Sequence, residues 1–274
     1  MKKAVLVSLV AVVCVFAQDY TKIGLGVAYM QQPYKETKNK VLAIPYLEVK
    51  YNGFYLRGME AGYEQKIDDY FSVGAFTKCR LDGYKSSDSD YLSGMQERKY
   101  AVDVGAKVTF EKDKIGKISA FVLNDISGTH NGYELGIEYS RRYTFEKSIF
   151  IPFISLKKES KKLTDYYYGI KKSEETLQRA EYSTNGAINT EIGIRYIYSI
   201  SKDMELISVA SYTKLDESIY NSPIVKDKER LKAFIACSYK FWNVNSDLTY
   251  YDQIMIKKSY VEWKYTRLSI LSCF

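Results

Sequence analysis

The chain has 274 residues, with 27 tyrosines, 4 prolines and a net charge of +7 at pH 7. That length suits one all-β unit, since barrels use roughly 200–250 residues as a single domain. Lysines and acids are interleaved rather than gathered into a basic tract or an aromatic-basic module, so a nucleic-acid partner is excluded and the positive excess is read as surface charge, with a weak attraction to anionic headgroups.

At the N-terminus, Lys2 and Lys3 precede an apolar run from Ala4 to Ala17, followed by Gln18, Asp19 and Tyr20. A short basic region, an apolar stretch of roughly 7–15 residues and a small residue before a polar start describe a secretory signal peptide, residues 1–17, cleaved after Ala17. Cys14 invites a lipoprotein reading, but Val13 before it is not the small residue such attachment wants. After this run no stretch reaches the roughly 18 consecutive apolar residues of a spanning helix. The expectation is an exported chain without a helical anchor.

Strand patterns then follow with almost no helical interruption. Ile23, Leu25, Val27 and Tyr29 alternate with Gly24, Gly26 and Ala28. The stretch 41–65 holds one or two strands, with Asn52-Gly53 as a turn signal, and another is read at 69–80. In the run 100–110 the even positions, Tyr100 to Phe110, are all apolar, while the odd ones include Asp103, Gly105, Lys107 and Thr109. Side chains alternate faces along a strand, so this is one oily and one wet face. Its length exceeds the roughly 5–6 residues of an ordinary strand and matches the roughly 9–11 that a tilted strand needs to cross a bilayer. Further strands are read at 115–126, 133–140, 148–157, 188–198, 203–214 and 230–241. The connections near 111–115, 144–148 and 200–203 are tight. Those at 81–97, 158–186 and 215–229 are long, polar and charged.

Alternating short and long connections are the habit of outer-membrane barrels, whose short turns face the periplasm. A closed sheet leaves no unpaired edge in lipid. A Lys or Arg facing lipid at mid-depth costs about 2–4 kcal/mol, so charges belong inside. Asp103, Lys107, Glu134, Glu138, Glu191 and Arg195 all fall on the inner register. A soluble barrel of lipocalin type would reverse the faces; strand length, tyrosines near strand ends and loop asymmetry favour the membrane. The fold predicted is therefore all-β: a transmembrane antiparallel up-and-down β-barrel over residues 18–241. Eleven runs are visible up to Phe241, but single-chain bacterial barrels have even numbers, so 10 or 12 strands are expected. With opposite charges inside, Asp103 is expected to neutralise Lys107, and Glu191 to neutralise Arg195, in a plugged or narrow lumen.

Three short motifs lie between these strands in a fixed order: Asp125-Ile126-Ser127-Gly128-Thr129-His130-Asn131-Gly132, Asp165-Tyr166-Tyr167-Tyr168-Gly169-Ile170 and Asn221-Ser222-Pro223-Ile224-Val225. Together they resemble the MipA/OmpV family of outer-membrane proteins, over about residues 20–241. The resemblance implies a barrel in the outer membrane of a Gram-negative bacterium, in contact with outer-membrane lipid. For the best-known member it implies a scaffold role, bridging a murein lytic transglycosylase and a murein synthase. Such chains look as though they should stop near Phe241; here residues 242–274 follow as an atypical extension, native or the product of a shifted reading frame.

No constellation points to chemistry. His130 is the one histidine, and Ser127, His130 and Glu134 are close in sequence, as a hydrolase would need. The motif reads more simply as a turn, with Ser127 and Gly128 before His130, and Asn131-Gly132 favouring positive φ. Ser222, Pro223, Ile224 and Val225 read as a loop folding back on the rim, since Pro pre-sets the backbone and the Ile-Val pair wants burial. Tyr167, Tyr168 and their neighbour Tyr166, before Gly169, read as part of an interfacial aromatic girdle. Cys79, Cys237 and Cys273 lack CxxC spacing, so no disulfide scaffold and no metal site are expected, and no cofactor. The expected function is a non-enzymatic interaction protein; the alternatives are a narrow channel for small solutes, or an adhesin acting through the loops at 81–97 and 158–186.

Overall fold

The computed structural model describes residues 20–242. The expected signal peptide, and the extension from residue 243 on, lie outside the described residues. The strands are β1 (Tyr20–Met30), β2 (Lys40–Tyr51), β3 (Phe54–Arg57), β4 (Glu60–Lys66), β5 (Phe71–Arg80), β6 (Ala101–Lys112), β7 (Gly116–Asp125), β8 (Tyr133–Ser140), β9 (Tyr143–Phe145), β10 (Ser148–Glu159), β11 (Ala187–Ser199), β12 (Met204–Lys214) and β13 (Glu229–Trp242). Every pairing is antiparallel, and all but β8 with β10 and β1 with β13 join chain neighbours. β8 and β9 both pair with β10, at its residues 153–159 and 148–150, and form one stave broken at Arg141-Arg142. The ring closes between the ends of the chain, from Tyr20 opposite Trp242 to Met30 opposite Lys232. The result is a closed barrel of twelve staves. The stretch 41–65 contains β2 and a short β3–β4 hairpin, which resolves the count left open between ten and twelve.

The alternation of the sequence becomes the two faces of the wall. Leu25, Val73, Val108, Ile137, Ile192 and Ile235 point outward, with Leu25 76% exposed. Cys79 and Cys237 share that face as exposed free thiols. At one rim the turns are tight; Asn52 and Gly53 have φ of 46° and 86°, which a two-residue hairpin of the favoured twist requires. At mid-height, glycines make room for phenylalanines inside the lumen. A Cβ at Gly136 would lie 2.1 Å from the Phe121 ring, and one at Gly193 2.5 Å from that of Phe153.

The larger apolar cluster of the described residues sits in the long loops; a small one, Tyr46, Ile207 and Ala236, lies within the barrel. The larger joins Tyr34, Tyr84, Leu92, Met95, Leu163, Tyr167, Tyr168, Ile170, Ala187, Leu215, Ile219, Ile224 and Val225, all buried. Two helices belong to it. In α1 (Lys161–Tyr168), Leu163, Thr164, Tyr167 and Tyr168 are buried, the spacing of a single helical face. In α2 (Glu217–Tyr220), Asp216 caps the first turn by accepting from the Ser218 amide at 2.9 Å, and Ile219 is fully buried. These loops fold into a lid over one mouth of the barrel.

Candidate functional site: lid and lumen

The three sequence motifs meet in the lid. In the first, the Asp125 carboxylate accepts from the backbone amides of Ser127, His130 and Asn131 and from the Ser127 hydroxyl, at 2.6–2.8 Å. Gly128 and Asn131 take φ of 69° and 51°, so this loop does need left-handed residues. The Gly132 amide donates to His130 Nδ1 at 3.1 Å, which leaves the proton on Nε2 to be donated to Asp103 Oδ1 at 3.0 Å. Both ring nitrogens are thus committed.

Asp103, Asp125 and His130 stand close enough to surround a metal ion. His130 has no free nitrogen, however, and Asp125 is saturated by four donors, so the group fits a hydrogen-bonded clasp better than a ligand set. A hydrolytic arrangement of Ser127, His130 and Glu134 is not formed either. Ser127 bonds Asp125 and Thr129, His130 bonds Asp103, and Glu134 receives Arg80.

The other motifs lock onto this one. The His130 ring lies 6.1 Å from that of Tyr167, which packs edge-on against Tyr166. Tyr167 and Tyr168 are 1% and 5% exposed, in the lid core rather than in an interfacial girdle. The helix through them explains the difference: its spacing points both rings inward from α1, just before Gly169. Ser222 Oγ donates to the Tyr168 carbonyl at 2.6 Å. Pro223 precedes Ile224 and Val225, which are buried; the Ile224 carbonyl accepts from Lys35, and Val225 bridges to Tyr34. Arg98 ties two loops together, donating to Glu174 Oε2 at 2.8 Å and to the Tyr166 carbonyl at 2.6 Å. Burial would raise the Glu174 carboxyl, but Arg98 and the amides of Lys171 and Gln96 hold it below the ordinary glutamate range.

Beneath the lid the lumen carries ion pairs that run between strands. Arg80 donates to Asp103 Oδ2 at 2.8 Å and to Glu134 Oε2 at 2.7 Å, with Asp82 and Glu159 at 3.6 and 4.0 Å. Lys107 meets Glu64 at 2.9 Å, Lys157 pairs with Glu191, and Arg195 binds Glu138 at 3.0 Å. The six inward charges are therefore paired, but not as the spacing suggested. Asp103 does not neutralise Lys107, nor Glu191 Arg195. Positions four apart on a strand are roughly 13 Å apart, whereas cross-strand neighbours lie within about 5 Å. Arg80, Lys157 and Arg230 escaped the sequence reading; Arg80 was findable by parity, since it shares the inner register with Ser72, Phe76 and Lys78. Above the strands, Asp82 accepts from Arg230 at 2.5 Å. Burial alone would raise its carboxyl, yet Arg230, Lys232 and Arg80 hold it well below the usual carboxylate range.

Two adjoining cavities remain. One of about 190 Å³ lies under the lid, roofed by Tyr168 and Leu215. The other, of about 420 Å³, occupies mid-lumen among Phe76, Phe121, Phe153 and Phe234. Met30, Lys78, Lys157, Glu191 and Lys232 line both.

Residues 23–241 match the family model of the MltA-interacting protein MipA. The chain belongs to this family. Among MipA relatives, the outer membrane protein OmpV of Vibrio cholerae is 25% identical over 68% of this chain and 72% of its own. The MltA-interacting protein of Escherichia coli K12 is 23% identical over 82% and 92%. The putative outer membrane protein YiaT of the same strain is 23% identical over 80% and 90%. Among solved structures, the KdgM porin aligns over 80% of this chain and 99% of its own, at 11% identity and a TM-score of 0.42. This MipA-family chain is thus an outer-membrane β-barrel of a Gram-negative cell.

Proposed function

We propose that this barrel acts without catalysis, as an interaction protein of the outer membrane linked to murein synthesis and turnover, with a murein lytic transglycosylase and a murein synthase as partners on the periplasmic side. The observation that carries the reading is the lid. Thirteen buried side chains from four separate loops and the start of β11 close one mouth, and cross-strand ion pairs cross the lumen below it. A barrel stoppered in this way is built as a platform rather than as a pore, so its work falls to its surfaces. The relative named MltA-interacting protein supports a cell-wall enzyme as the partner.

Two measurements test this. Protein captured from solubilised envelopes should bring down a lytic transglycosylase, and recovery of no murein enzyme would sink the reading. Single-channel recording in planar bilayers should be silent. Steady conductance would instead favour the second reading, solute uptake, which has the mid-lumen cavity in its favour.

A further inference from the structure

The wall of the barrel is incomplete on one side. β3 and β4 have four and seven residues, short of the roughly 9–11 that cross a bilayer. Gly58, at φ 57°, turns the hairpin back early. β2 therefore pairs with β3 only through Glu48–Tyr51, extended by one bond from the Gly58 amide to the Leu47 carbonyl. That bond shows that the odd residues of β2 aim their backbone groups toward β3. Above it, among the described residues, Val41, Ala43 and Pro45 make no hydrogen bond across this edge. Pro45 stands where its lack of an N–H leaves one group fewer unpaired, the position proline takes on an open edge. On the far side, Cys79 bonds Met59 and is the last residue of β5 to meet the hairpin. Three strand spacings, roughly 14 Å, separate β2 from β5 at that level. The gap narrows upward, to Lys40 Nζ on the Gly83 carbonyl at 3.0 Å and Tyr34 on the Asp82 carbonyl at 3.1 Å. Val41, Ala43 and Pro45 are exposed on the lipid face, so the opening lies at the height of the apolar band.

Behind it lies the 420 Å³ cavity, whose lining includes Glu60 and Lys78 beside the hairpin. Its carboxylates are engaged: Glu191 with Lys157, Glu138 with Arg195, Glu60 with Tyr55 at 2.7 Å. Its cations are not all engaged. Lys78 has Glu134 at 3.9 Å, and Lys232, which feels Asp82 and Glu191 only at longer range, makes no ion pair within 4.0 Å among the described residues. Beside these charges and Ser211, the lining carries an apolar wall that includes Phe76, Phe121, Leu123, Phe153, Val209 and Phe234. A pocket with a phenylalanine-rich wall and two loosely paired ammonium groups, within the roughly 300–1,000 Å³ of small-molecule sites, suits one acyl chain ending in an anion and is too small for a two-tailed lipid.

We propose that the lumen binds a single-chain carboxylate amphiphile that enters sideways from the membrane through the gap between β2 and β5, its head on Lys232 and Lys78 and its chain against the phenylalanines. This stands independently of the murein reading, since it concerns the lumen and not the periplasmic face. The test is dodecanoate binding to the full chain folded in lipid nanodiscs, with empty nanodiscs subtracted. One saturable site is expected; dodecanol should compete at least about tenfold more weakly, because a neutral head forgoes the charge-assisted bonds, and acetate should not compete. Lys232→Met should weaken binding at least about tenfold while Lys232→Arg keeps it, with Lys78→Met as the second variant and heat-dependent gel mobility as the check on folding. Dodecanoate carrying a photoreactive chain end should label Phe76, Phe234 and, at short exposure, Leu42 and Met59. No saturable site, equal competition by dodecanol, full competition by acetate, or labelling confined to outward residues such as Leu25 would each overturn the proposal.

Discussion

The wall and the lid of this protein bury opposite things. Along the staves, apolar side chains face out and charges face in, so Leu25 and Ile192 are exposed while Asp103 and Glu134 are 1% exposed. In the loops the order is the familiar one, with Leu163, Ile219 and Ile224 inside. The difference follows from the solvent. Lipid outside the wall removes the hydrophobic reason to turn Leu or Ile inward, and it penalises any charge turned outward. Water above the lid restores that reason. One chain thus satisfies two solvents, and the transition falls near the last residues of β5 and β10 and the first of β13, where Arg80, Glu159 and Arg230 join the lumen network to the lid.

The sharpest way to break the contrast is to remove the charge that the wall interior depends on. Arg80→Met would leave Asp103, Glu134, Asp82 and Glu159 without their shared cation; losing one partner of a buried pair typically costs about 3–5 kcal/mol. Urea unfolding from lipid vesicles should show a loss of that order. A stability equal to wild type would mean that the interior pairs are ornamental.

Next comes the lid. Ile224→Ala should cost about 2–5 kcal/mol of local stability, as truncation of a buried aliphatic does. Hydrogen exchange should rise across 160–186 and 215–228 while heat-dependent gel mobility stays that of a folded barrel. If the whole barrel unfolds with the lid, wall and lid are one cooperative unit.

The same substitution should then behave differently in the two places. Ile192→Arg, in the middle of β11 on the lipid face, should cost about 2–4 kcal/mol. Leu177→Arg, at a fully exposed loop tip, should fall within about 0.5 kcal/mol of wild type. Equal costs in lipid vesicles would place the membrane band wrongly.

The smallest effect is one of pH. Because the folded lid holds the Glu174 carboxyl below its ordinary value of 4.5, the stability it lends is present above that value and is lost as pH falls below it. Protease resistance of the lid should be flat from neutral pH down to that point and decline beyond it. Glu174→Gln should flatten the decline; an unchanged profile would assign the acid sensitivity to other carboxylates, Asp82 among them.

The inward placement of Asp103, Lys107, Glu134, Glu138, Glu191 and Arg195 was legible because strand parity is a local property: each residue's face is set by its neighbours one position away. Their partners were not legible, because Arg80 reaches Glu134 across 54 positions of sequence. The lid motifs show the same division. The turn at Gly128 and Asn131 could be read from residue type. The burial of Tyr167 and Tyr168 could not, because the polar residues of 158–186 mask it; the one local sign of their helix is the spacing of Leu163 and Tyr167.

By itself, then, the sequence determined the kind of fold, the faces of its strands and the membrane that holds it, since all three follow from periodicity and from the cost of placing charge in lipid. Tertiary structure decided what periodicity cannot encode: which strands are neighbours, how the ring closes from Tyr20 to Trp242, and which charges meet. It also decided that four loops, each too polar to stand as a core, would pool their few apolar side chains into one lid. Burial is a property of the assembled contacts, and those contacts exist only after the ring has brought distant segments to the same rim.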